Sequence, residues 1–467
     1  MREEYAAAGR EVTGRGMNAN EKKVFYRELL TLAVPLALQN LLNALVGASD
    51  ALMLGRLTQD AIAAVSLANQ ISFVMSLFNG AVIGAVSVLI AQYWGKGDHT
   101  NARRFLSMAV RYVTVISGVF FCLSFLMPER LMAIFTPEPE LIRIGAEYLR
   151  IVGFSYLFAG VSQCYLMVMK ISGCAKLSVW ISAVTVIVDM SADFFLIYGF
   201  GKIPALGANG SAYSTIAVEA VALLWCLLWA RKKEEVRLDC GSLFYFSRAF
   251  EKDLWKIIPG MLASGLSWGL SISLHSFIMG HLGTDATAAA SVTGVAQQLI
   301  QCLTHGLSSG ATIMIGQLLG RNLTDRAREY GGRFWLVSTW CGFTNAGLIC
   351  IVGPLVYVFY VLEPQAKVYL VQMLIFSAVY MFAYAYNTII TCGVFPAGGD
   401  SRYDAVSVFF ATWCFALPLA LIGCFVLRWP VMAVYVVMCL DEIVKVPFIS
   451  RRYRKYLWVK NLTRDGA

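Results

Sequence analysis

The sequence predicts an all-α membrane protein with twelve transmembrane helices in two parallel six-helix repeats. Three observations predict this fold class. Of the 467 residues, 58% are hydrophobic and 14% are charged, whereas an ordinary soluble domain has about 25% charged residues. Twelve apolar segments reach the length of about 20 residues that a helix needs to cross a bilayer. The second half of the chain also repeats the first at an offset of 225 residues.

The apolar segments follow one another through short polar connections. They lie at approximately 27–52, 62–90, 104–127, 140–168, 177–199, 210–230, 254–280, 287–316, 334–360, 366–392, 404–427 and 430–450. Residues 1–20 lack the apolar core of a signal peptide, so the tail before the first span is predicted to be a disordered cytoplasmic segment. The twelve cysteines include no Cys-x-x-Cys pair, and no zinc site or disulfide framework is predicted.

The positions of the basic residues predict the orientation in the membrane. The net charge of +9 is compatible with nucleic-acid binding, but most of the 38 Lys and Arg lie in connections on the same side as the N-terminus. Cytoplasmic loops carry an excess of Lys and Arg. Both termini are therefore predicted to be cytoplasmic, in a multi-pass protein of the cell membrane, and no nucleic-acid partner is expected.

Paired segments define the two repeats. The segment Gly55–Ala64 aligns with Gly280–Ala289, and Gln92-Tyr-Trp-Gly95 aligns with Gln317-Leu-Leu-Gly320. Six spans in each half make the halves parallel copies, which favours alternating access between two bundles. The predicted units are a cytoplasmic tail at 1–24, an N-terminal lobe at 25–231, a cytoplasmic linker at 232–252, a C-terminal lobe at 253–452 and a cytoplasmic tail at 453–467.

Acidic residues occur in the first half where lipid would otherwise be expected. Asp189 and Asp193 are one helical turn apart and share a face of their helix. Asp50 lies at a similar depth near the outer end of the first span. A carboxylate inside a membrane is costly unless it lines a cavity. With the hydroxyl of Thr215, these oxygens suit a hard cation such as Na⁺ or a shared proton. The alternative is that each acid has a structural role, in which it forms hydrogen bonds with a neighbouring helix or pairs with a base such as Arg150.

Other polar side chains within the spans are candidates for a cavity. Gln39 and Asn43 lie close to the same stripe of the first span as Asp50. Glu219 follows Thr215 by one helical turn on the sixth span. A structural role is an equal alternative for Glu219.

The second half does not repeat the acidic residues. His275 occupies the position equivalent to Asp50, while Cys414 and Pro418 occupy those of Asp189 and Asp193. The predicted cation site therefore belongs to the N-terminal half alone. His275 is either a pH-sensitive cavity residue or, as the commoner case, a structural histidine held by hydrogen bonds.

Three carboxylates in one poorly hydrated pocket cannot all be ionised at neutral pH. At least one of them is expected to hold a proton, and the group should titrate as a coupled set. Protons and Na⁺ would then compete for the same oxygens. We predict proton-driven antiport in which Na⁺ substitutes at least partly, with no other cofactor.

Several motifs together resemble the multidrug and toxic compound extrusion (MATE) family. They are Pro35…Asp50…Gly55-Arg56, Gln92-Tyr-Trp-Gly95-Lys-Gly-Asp98 and Asp193…Gly210-Ser-Ala-Tyr-Ser-Thr215. The resemblance covers about residues 25–455. It implies a MATE/MOP-type fold and a cation-coupled antiporter, not an enzyme, that exports organic cations and other amphipathic drugs. It also implies that the N-lobe cation site falls on Asp50, Asp189, Asp193 and Thr215.

Two departures from the family pattern concern charge. Position 189 is usually Asn in relatives and is Asp189 here, which adds a carboxylate. Trp268 and Tyr386 stand at the positions where one branch of the family has C-lobe acids, so the chain resembles the branch related to DNA-damage-inducible transporters. Both are also candidates for the cavity.

Two other functions each match part of the sequence pattern. Asp189-x-x-x-Asp193 matches half of the aspartate signature of intramembrane prenyltransferases, but a second aspartate-rich motif is absent from the sequence. A flippase for lipid-linked oligosaccharide remains the alternative on a related helical plan, although a diphosphate cargo would favour cavity arginines. The expected partners are small organic substrates and the lipid bilayer, and no obligate protein partner is indicated.

Overall fold

The computed structural model describes residues 17–54, 57–199, 204–238, 246–359 and 362–464. Six predicted features fall wholly or partly outside these residues. They are the tail at 1–16, the Gly55-Arg56 pair, residues 200–203 of the loop after the fifth span, residues 239–245 of the linker, residue 360 at the end of the ninth span, and residues 465–467 of the C-terminal tail.

The described residues form twelve long helices, α1 to α12 in chain order. Those of the first half are α1 (Ala19–Leu54), α2 (Gln59–Lys96), α3 (His99–Leu126), α4 (Pro139–Ile171), α5 (Ala175–Tyr198) and α6 (Ala208–Arg231). Those of the second half are α7 (Ile258–His281), α8 (Thr284–Gly320), α9 (Thr324–Phe359), α10 (Pro364–Thr388, continuing to Ala397), α11 (Ser401–Val408, continuing to Val426) and α12 (Val431–Tyr453). Two short helices, Pro128–Met132 and the connector helix Arg248–Trp255, lie between them.

The apolar character of the helices agrees with a membrane protein. Among the described residues, ten helical segments are long and apolar enough to cross a bilayer. The two long helices outside that set are α8 and α12. Helix α12 carries Asp441, Glu442 and Lys445 in its middle, which lowers its mean hydropathy. The predicted all-α fold with twelve helices is confirmed.

Glycine ends α2 and sets the turn into α3. Gly97 has a φ of 84°, in the left-handed region that L side chains rarely adopt, and its N–H donates to the carbonyl of Trp94. The side chain of Asp98 then caps α3 by accepting from the N–H of Asn101. This tight turn fixes where α2 ends and α3 begins.

The hydrophobic cores do not follow the predicted lobe boundaries. Phe25 and Leu29 at the start of α1 pack into a core cluster of the second half, where Phe25 contacts the rings of Tyr330 and Phe334. Phe250 and Leu254 of the connector helix pack into a core cluster of the first half. Each half therefore lends its opening segment to the core of the other, which joins the two halves at the end that carries the termini.

A symmetric contact joins α2 and α8 at the same end. A Cβ atom added at Gly95 would overlap the backbone of Gln317, and one added at Gly320 would overlap the backbone of Gln92. The side-chain amide of Gln92 donates to the carbonyl of Ala397 at 2.6 Å, and that of Gln317 donates to the carbonyl of Ile171 at 3.0 Å. The residues paired by the 225-residue repeat thus make equivalent bonds to the opposite half.

Residues 454–464, here called the C-terminal strap, cross from the second half to the first. Trp458 is fully buried beside Gly331 and Gly398. Farther along, the N–H of Leu462 donates to Gln92 Oε1 at 2.6 Å. The guanidinium of Arg464 then forms two hydrogen bonds, of 2.6 and 2.9 Å, with Asp253 of the connector helix. The strap therefore bridges both halves at the predicted cytoplasmic end.

Candidate cation site

Two helices bring the predicted acidic residues together near the opposite end of the first half. Asp50 comes from α1, and Asp189 and Asp193 come from α5. One carboxylate oxygen of each lies within 4.8 Å of the other two. Helix α6 can approach because Gly210 has no side chain, and a Cβ atom there would come within 2.6 Å of the Leu196 carbonyl group.

The carboxylates are buried and have no basic partner among the described residues. Asp193 is 1% exposed and Asp189 is 6% exposed, while Asp50 is partly buried. The carboxyl groups of Asp50 and Asp193 lie within hydrogen-bonding reach of each other. One oxygen of each, Oδ1, has no hydrogen-bond partner in the described part of the chain. A proton or a cation held between them would satisfy these oxygens.

The alternative pairing with Arg150 is not observed. The guanidinium of Arg150 lies 2.6 Å from Oε1 of Glu129, and both side chains are about half exposed. Within the described ranges, the ion pairs that involve acidic residues also leave out Asp50, Asp189 and Asp193. The negative charge of the cluster is therefore not balanced by a neighbouring base in this part of the protein.

Helix α6 presents a hydroxyl to the cluster. The Oγ of Ser214 donates to Oδ1 of Asp189 at 3.0 Å. Thr215, the predicted neutral ligand, is partly buried, and its hydroxyl donates to the carbonyl of Ser211 within its own helix at 2.9 Å. Ser214, which the family resemblance did not indicate, is the α6 hydroxyl bonded to an acidic residue of the cluster.

Tyr148 of α4 is a neighbour of the cluster that sequence reasoning did not identify. It is 3% exposed, it interacts electrostatically with Asp50 and Asp193, and its phenol lies within hydrogen-bonding reach of Ser211. Nothing in the spacing of the sequence links α4 to the first span. A search for phenols at the depth of the acidic residues could have found it.

The other predicted polar residues of the first half are spread along the helices. Gln39 is buried, and its amide donates to Oγ of Ser182 on α5 at 2.8 Å, which ties α1 to α5. Asn43 is exposed. Glu219 is partly buried and accepts a hydrogen bond of 3.1 Å from Oγ of Ser162 on α4. None of these three side chains has an oxygen or nitrogen in the three-carboxylate cluster defined above.

The candidates in the second half have separate surroundings. Trp268 is 43% exposed and faces Phe73 of α2, with ring centroids 6.4 Å apart. Tyr386 is buried, and its hydroxyl lies 2.7 Å from Oγ of Ser450. The Nε2 atom of His275 is buried and finds no hydrogen-bond partner among the described residues. The structure therefore does not show, at that nitrogen, the hydrogen bond expected of a structural histidine.

The second half also contains buried charged residues that the sequence reasoning missed. The Nζ atom of Lys445 pairs with Oε1 of Glu442, and both side chains are less than a tenth exposed. Asn387 donates to Oε2 of Glu442 at 2.7 Å. Thr412 donates to Oδ2 of Asp441 at 3.0 Å. Unlike the cluster in the first half, this one includes its own cation. The charges of α12, visible within its apolar run, were a signal that could have identified it.

Comparison with known proteins extends over most of the chain. A family model described as MatE matches residues 35–195 and 259–422. The multidrug resistance protein PmpM of Pseudomonas aeruginosa is 24% identical over 406 residues, with 84% of this chain and 83% of PmpM covered. The multidrug resistance protein MdtK of Yersinia enterocolitica is 23% identical over 409 residues, with 84% of this chain and 86% of MdtK covered.

Solved structures agree with the fold. A crystal structure of a variant of the Vibrio cholerae MATE transporter VcmN superposes with a TM-score of 0.86 at 16% identity, covering 94% of this chain and 98% of that one. The two ranges of the family match fall one in each half and together span well over half of the chain. The chain therefore belongs to the multidrug and toxic compound extrusion (MATE) family of multi-pass membrane transporters.

Proposed function

We propose that this protein is a secondary active antiporter that exports cationic or amphipathic drugs from the cytoplasm in exchange for inward-moving H⁺, with Na⁺ able to replace H⁺ at least partly. One observation carries the proposal. Oxygens of Asp50, Asp189 and Asp193 lie within 4.8 Å of one another, and no base pairs with them in the described part of the chain. Acidic residues inside a membrane protein are costly, and they mark ion pathways and proton relays.

The chemistry of the donor atoms supports both coupling ions. Three carboxyl groups and the Ser214 hydroxyl offer only oxygens, which Na⁺ and other hard cations prefer to nitrogen or sulfur. The same carboxyl oxygens can instead share protons, because like charges this close disfavour full ionisation. Occupancy by one kind of ion therefore excludes the other, which is the basis for proton-driven transport that tolerates Na⁺.

The names of the relatives support drugs as the exported class. PmpM and MdtK are both multidrug resistance proteins, and each matches most of this chain. A substrate cation that binds between the two halves and a coupling ion at the acidic cluster would each lower the affinity of the protein for the other. Such reciprocal coupling is what antiport requires thermodynamically.

The contacts between the halves support an outward-facing state. The Gln92–Gln317 region, the swapped opening segments and the C-terminal strap all join the halves at the predicted cytoplasmic end. With that end closed, the acidic cluster near the opposite end would receive its ion from outside. Alternating access then requires the contacts at the cytoplasmic end to break as the ion moves inward.

The test is transport of tetraphenylphosphonium by purified protein in liposomes. A proton gradient is imposed in Na⁺-free buffer, and a Na⁺ gradient is then imposed with pH clamped. We expect efflux with the proton gradient and slower efflux with the Na⁺ gradient. Efflux indifferent to both gradients would refute the coupling, and movement of a fluorescent lipid-linked oligosaccharide in place of the organic cation would favour the flippase.

A further inference from the structure

Glu219 is an acidic residue of α6 that the cation site does not use. Its carboxylate accepts a hydrogen bond of 3.1 Å from Ser162 of α4. No Lys, Arg or His among the described residues forms an ion pair with it. The titratable groups near Glu219 are Asp189 on α5, which acts on it electrostatically, and the thiol of Cys226 on α6. From helix α4, the Ser162 hydroxyl donates the hydrogen bond to Glu219.

The second half contains an equivalent carboxylate. Asn387 on α10 lies 225 residues after Ser162, the offset of the repeat, and donates to Oε2 of Glu442 at 2.7 Å. Glu442 lies on the sixth helix of its half, α12, as Glu219 lies on the sixth helix of the first, α6. In both halves the fourth helix therefore provides the hydrogen bond to a carboxylate on the sixth.

The difference between the two carboxylates is a lysine. Lys445, three residues after Glu442, places Nζ against Oε1 of Glu442, and the pair is almost fully buried. Three residues after Glu219 the chain has Ala222, which is 7% exposed. Residues three apart on a helix are neighbours on its surface. The alanine thus stands where the second half has a permanent cation.

We propose that Glu219 is a second proton-binding group of the first half, in which a bound proton takes the role that Lys445 has for Glu442. A desolvated carboxylate without a counter-ion is costly, and a carboxyl group in that situation takes up a proton. Protonated Glu219 is neutral and needs no counter-ion. Its carbonyl oxygen can still accept the hydrogen bond from Ser162. Its use in transport rests on the proposed antiport, because Asp189 links it electrostatically to the cation site.

The test counts protonated carboxyl groups by infrared spectroscopy of the full-length protein in lipid nanodiscs at neutral pH. Wild type should show carboxylic-acid C=O absorption, and Glu219→Gln should lose the intensity of one carboxyl group per protein. Ala222→Lys, which copies the arrangement of the second half, should lose the same intensity while carboxylate absorption rises. Ala220→Lys, two residues away on a different face of α6, is the matched control and should retain the band.

The converse variant lies in the second half. Lys445→Met removes the cation from Glu442 and should add the intensity of one protonated carboxyl group. If Lys445→Met or Ala222→Lys fails to fold, Glu219→Gln still decides, because an unchanged band in that variant would overturn the proposal.

These spectra, taken together with the transport assay, distinguish failure of this proposal from failure of the proposed function. Asp193→Asn reports on the cation cluster, and Glu219→Gln reports on the second group. If Asp193→Asn abolishes antiport and the carboxyl band is unchanged in Glu219→Gln, the proposed antiport function stands and only the second proton-binding group is refuted. A band lost in Glu219→Gln without any ion-driven transport by wild type would retain the proton-binding group and refute the coupling.

Discussion

Asp193 is 1% exposed and has no basic partner among the described residues, a condition that acidic side chains seldom meet in proteins. Such a group is stable only if its charge is removed or balanced. The charges of its neighbours Asp50 and Asp189 must also be removed or balanced. Binding of one ion therefore affects all three carboxyl groups. Changing any one of them should alter coupling more than folding.

Neutral amides in place of the acidic residues should abolish coupled export. Asp50→Asn and Asp193→Asn keep the size and the hydrogen-bonding capacity of the side chains but remove the exchangeable charge. We expect loss of gradient-driven efflux in liposomes with thermal stability close to that of wild type, and a milder loss for His275→Ala. Asp60→Asn, at an exposed acid in the first turn of α2, is the control and should transport normally. Wild-type rates in Asp50→Asn would show that the cation site lies elsewhere.

The two adjacent hydroxyls of α6 should differ in importance. Ser214→Ala removes the hydrogen bond to Asp189, and bonds to charged groups contribute about 1.5–3 kcal/mol. The concentration of H⁺ or Na⁺ needed for half-maximal transport should therefore change about tenfold or more. Thr215→Val removes a hydrogen bond within α6 and should change that concentration by less than about twofold. Equal effects, or a larger effect for Thr215→Val, would restore Thr215 as the neutral ligand.

Helical period and depth account for what the sequence could predict of this site. Residues four apart lie on one face of a helix, which places Asp189 beside Asp193. A rise of about 1.5 Å per residue, counted from the helix ends, places Asp50 at a similar depth in the membrane. Ser214 and Thr215 lie about 100° apart around the same helix. Which of them faces Asp189 depends on how α6 rotates against α5, and the contact at Gly210 that fixes this rotation is tertiary.

At the scale of whole helices, the crossing of α2 and α8 depends on two glycines. Gly95 and Gly320 each lie against the backbone of the other helix, with no room for a Cβ atom. The repeat paired these residues in the sequence. It could not show that the pair forms a contact across the symmetry axis, because equivalence within a repeat does not specify which copies touch.

Adding a methyl group at this crossing should open the predicted cytoplasmic end. Gly95→Ala or Gly320→Ala forces the helices apart, and overpacking of this kind costs about 1–3 kcal/mol. Spin labels at Lys232 and Leu323, on opposite halves near this end, should report a larger share of long distances. Gly80→Ala on the same α2 is the matched control, since a Cβ atom there has no neighbour within 4 Å. Identical distance distributions in Gly95→Ala and Gly80→Ala would contradict the expectation.

Connection lengths explain why the repeat missed the charged residues of α12. The loop between α5 and α6 occupies residues 199–207, whereas residues 427–430 connect α11 to α12. Helix α11 ends three residues later than the offset of 225 predicts, and its connection is five residues shorter, so the offset falls to 223 in the sixth helices. Glu442 accordingly lies 223 residues after Glu219. A carboxylate two positions out of register in a helix appears on a different face, so the equivalence emerges only from the contacts with Ser162 and Asn387.

For the molecule as a whole, the sequence predicted two six-helix halves but not how they are joined. The apolar segments and their repeat follow from composition and period. The exchange of opening segments, with Phe25 in one core and Phe250 in the other, depends on long-range packing that no local pattern encodes. The residues after α12 also read as an ordinary basic tail, although Trp458 is fully buried.

Loss of the strap should weaken the closed end of the whole transporter. Trp458→Ala leaves a cavity beside Gly331 and Gly398, and truncation of a buried Trp costs about 3–5 kcal/mol. We expect a lower melting temperature and longer distances between labels at Lys232 and Leu323. Arg464→Ala, which removes the bonds to Asp253 at a partly exposed position, should have a smaller effect of the same sign. Unchanged distances in Trp458→Ala would show that the strap does not hold the halves together.

The strap also has a consequence for how the protein is made. The strap follows both halves in the chain. Its hydrogen bonds with Gln92 and Asp253 can therefore form only after the ribosome has delivered α12 to the membrane. Until then, the newly inserted halves lack this bridge and depend on the exchanged opening segments for their contact. A nascent chain stalled before residue 454 should therefore be cut by protease at the connector helix more readily than the released protein. The order of synthesis thus makes closure of the strap one of the last steps of biogenesis.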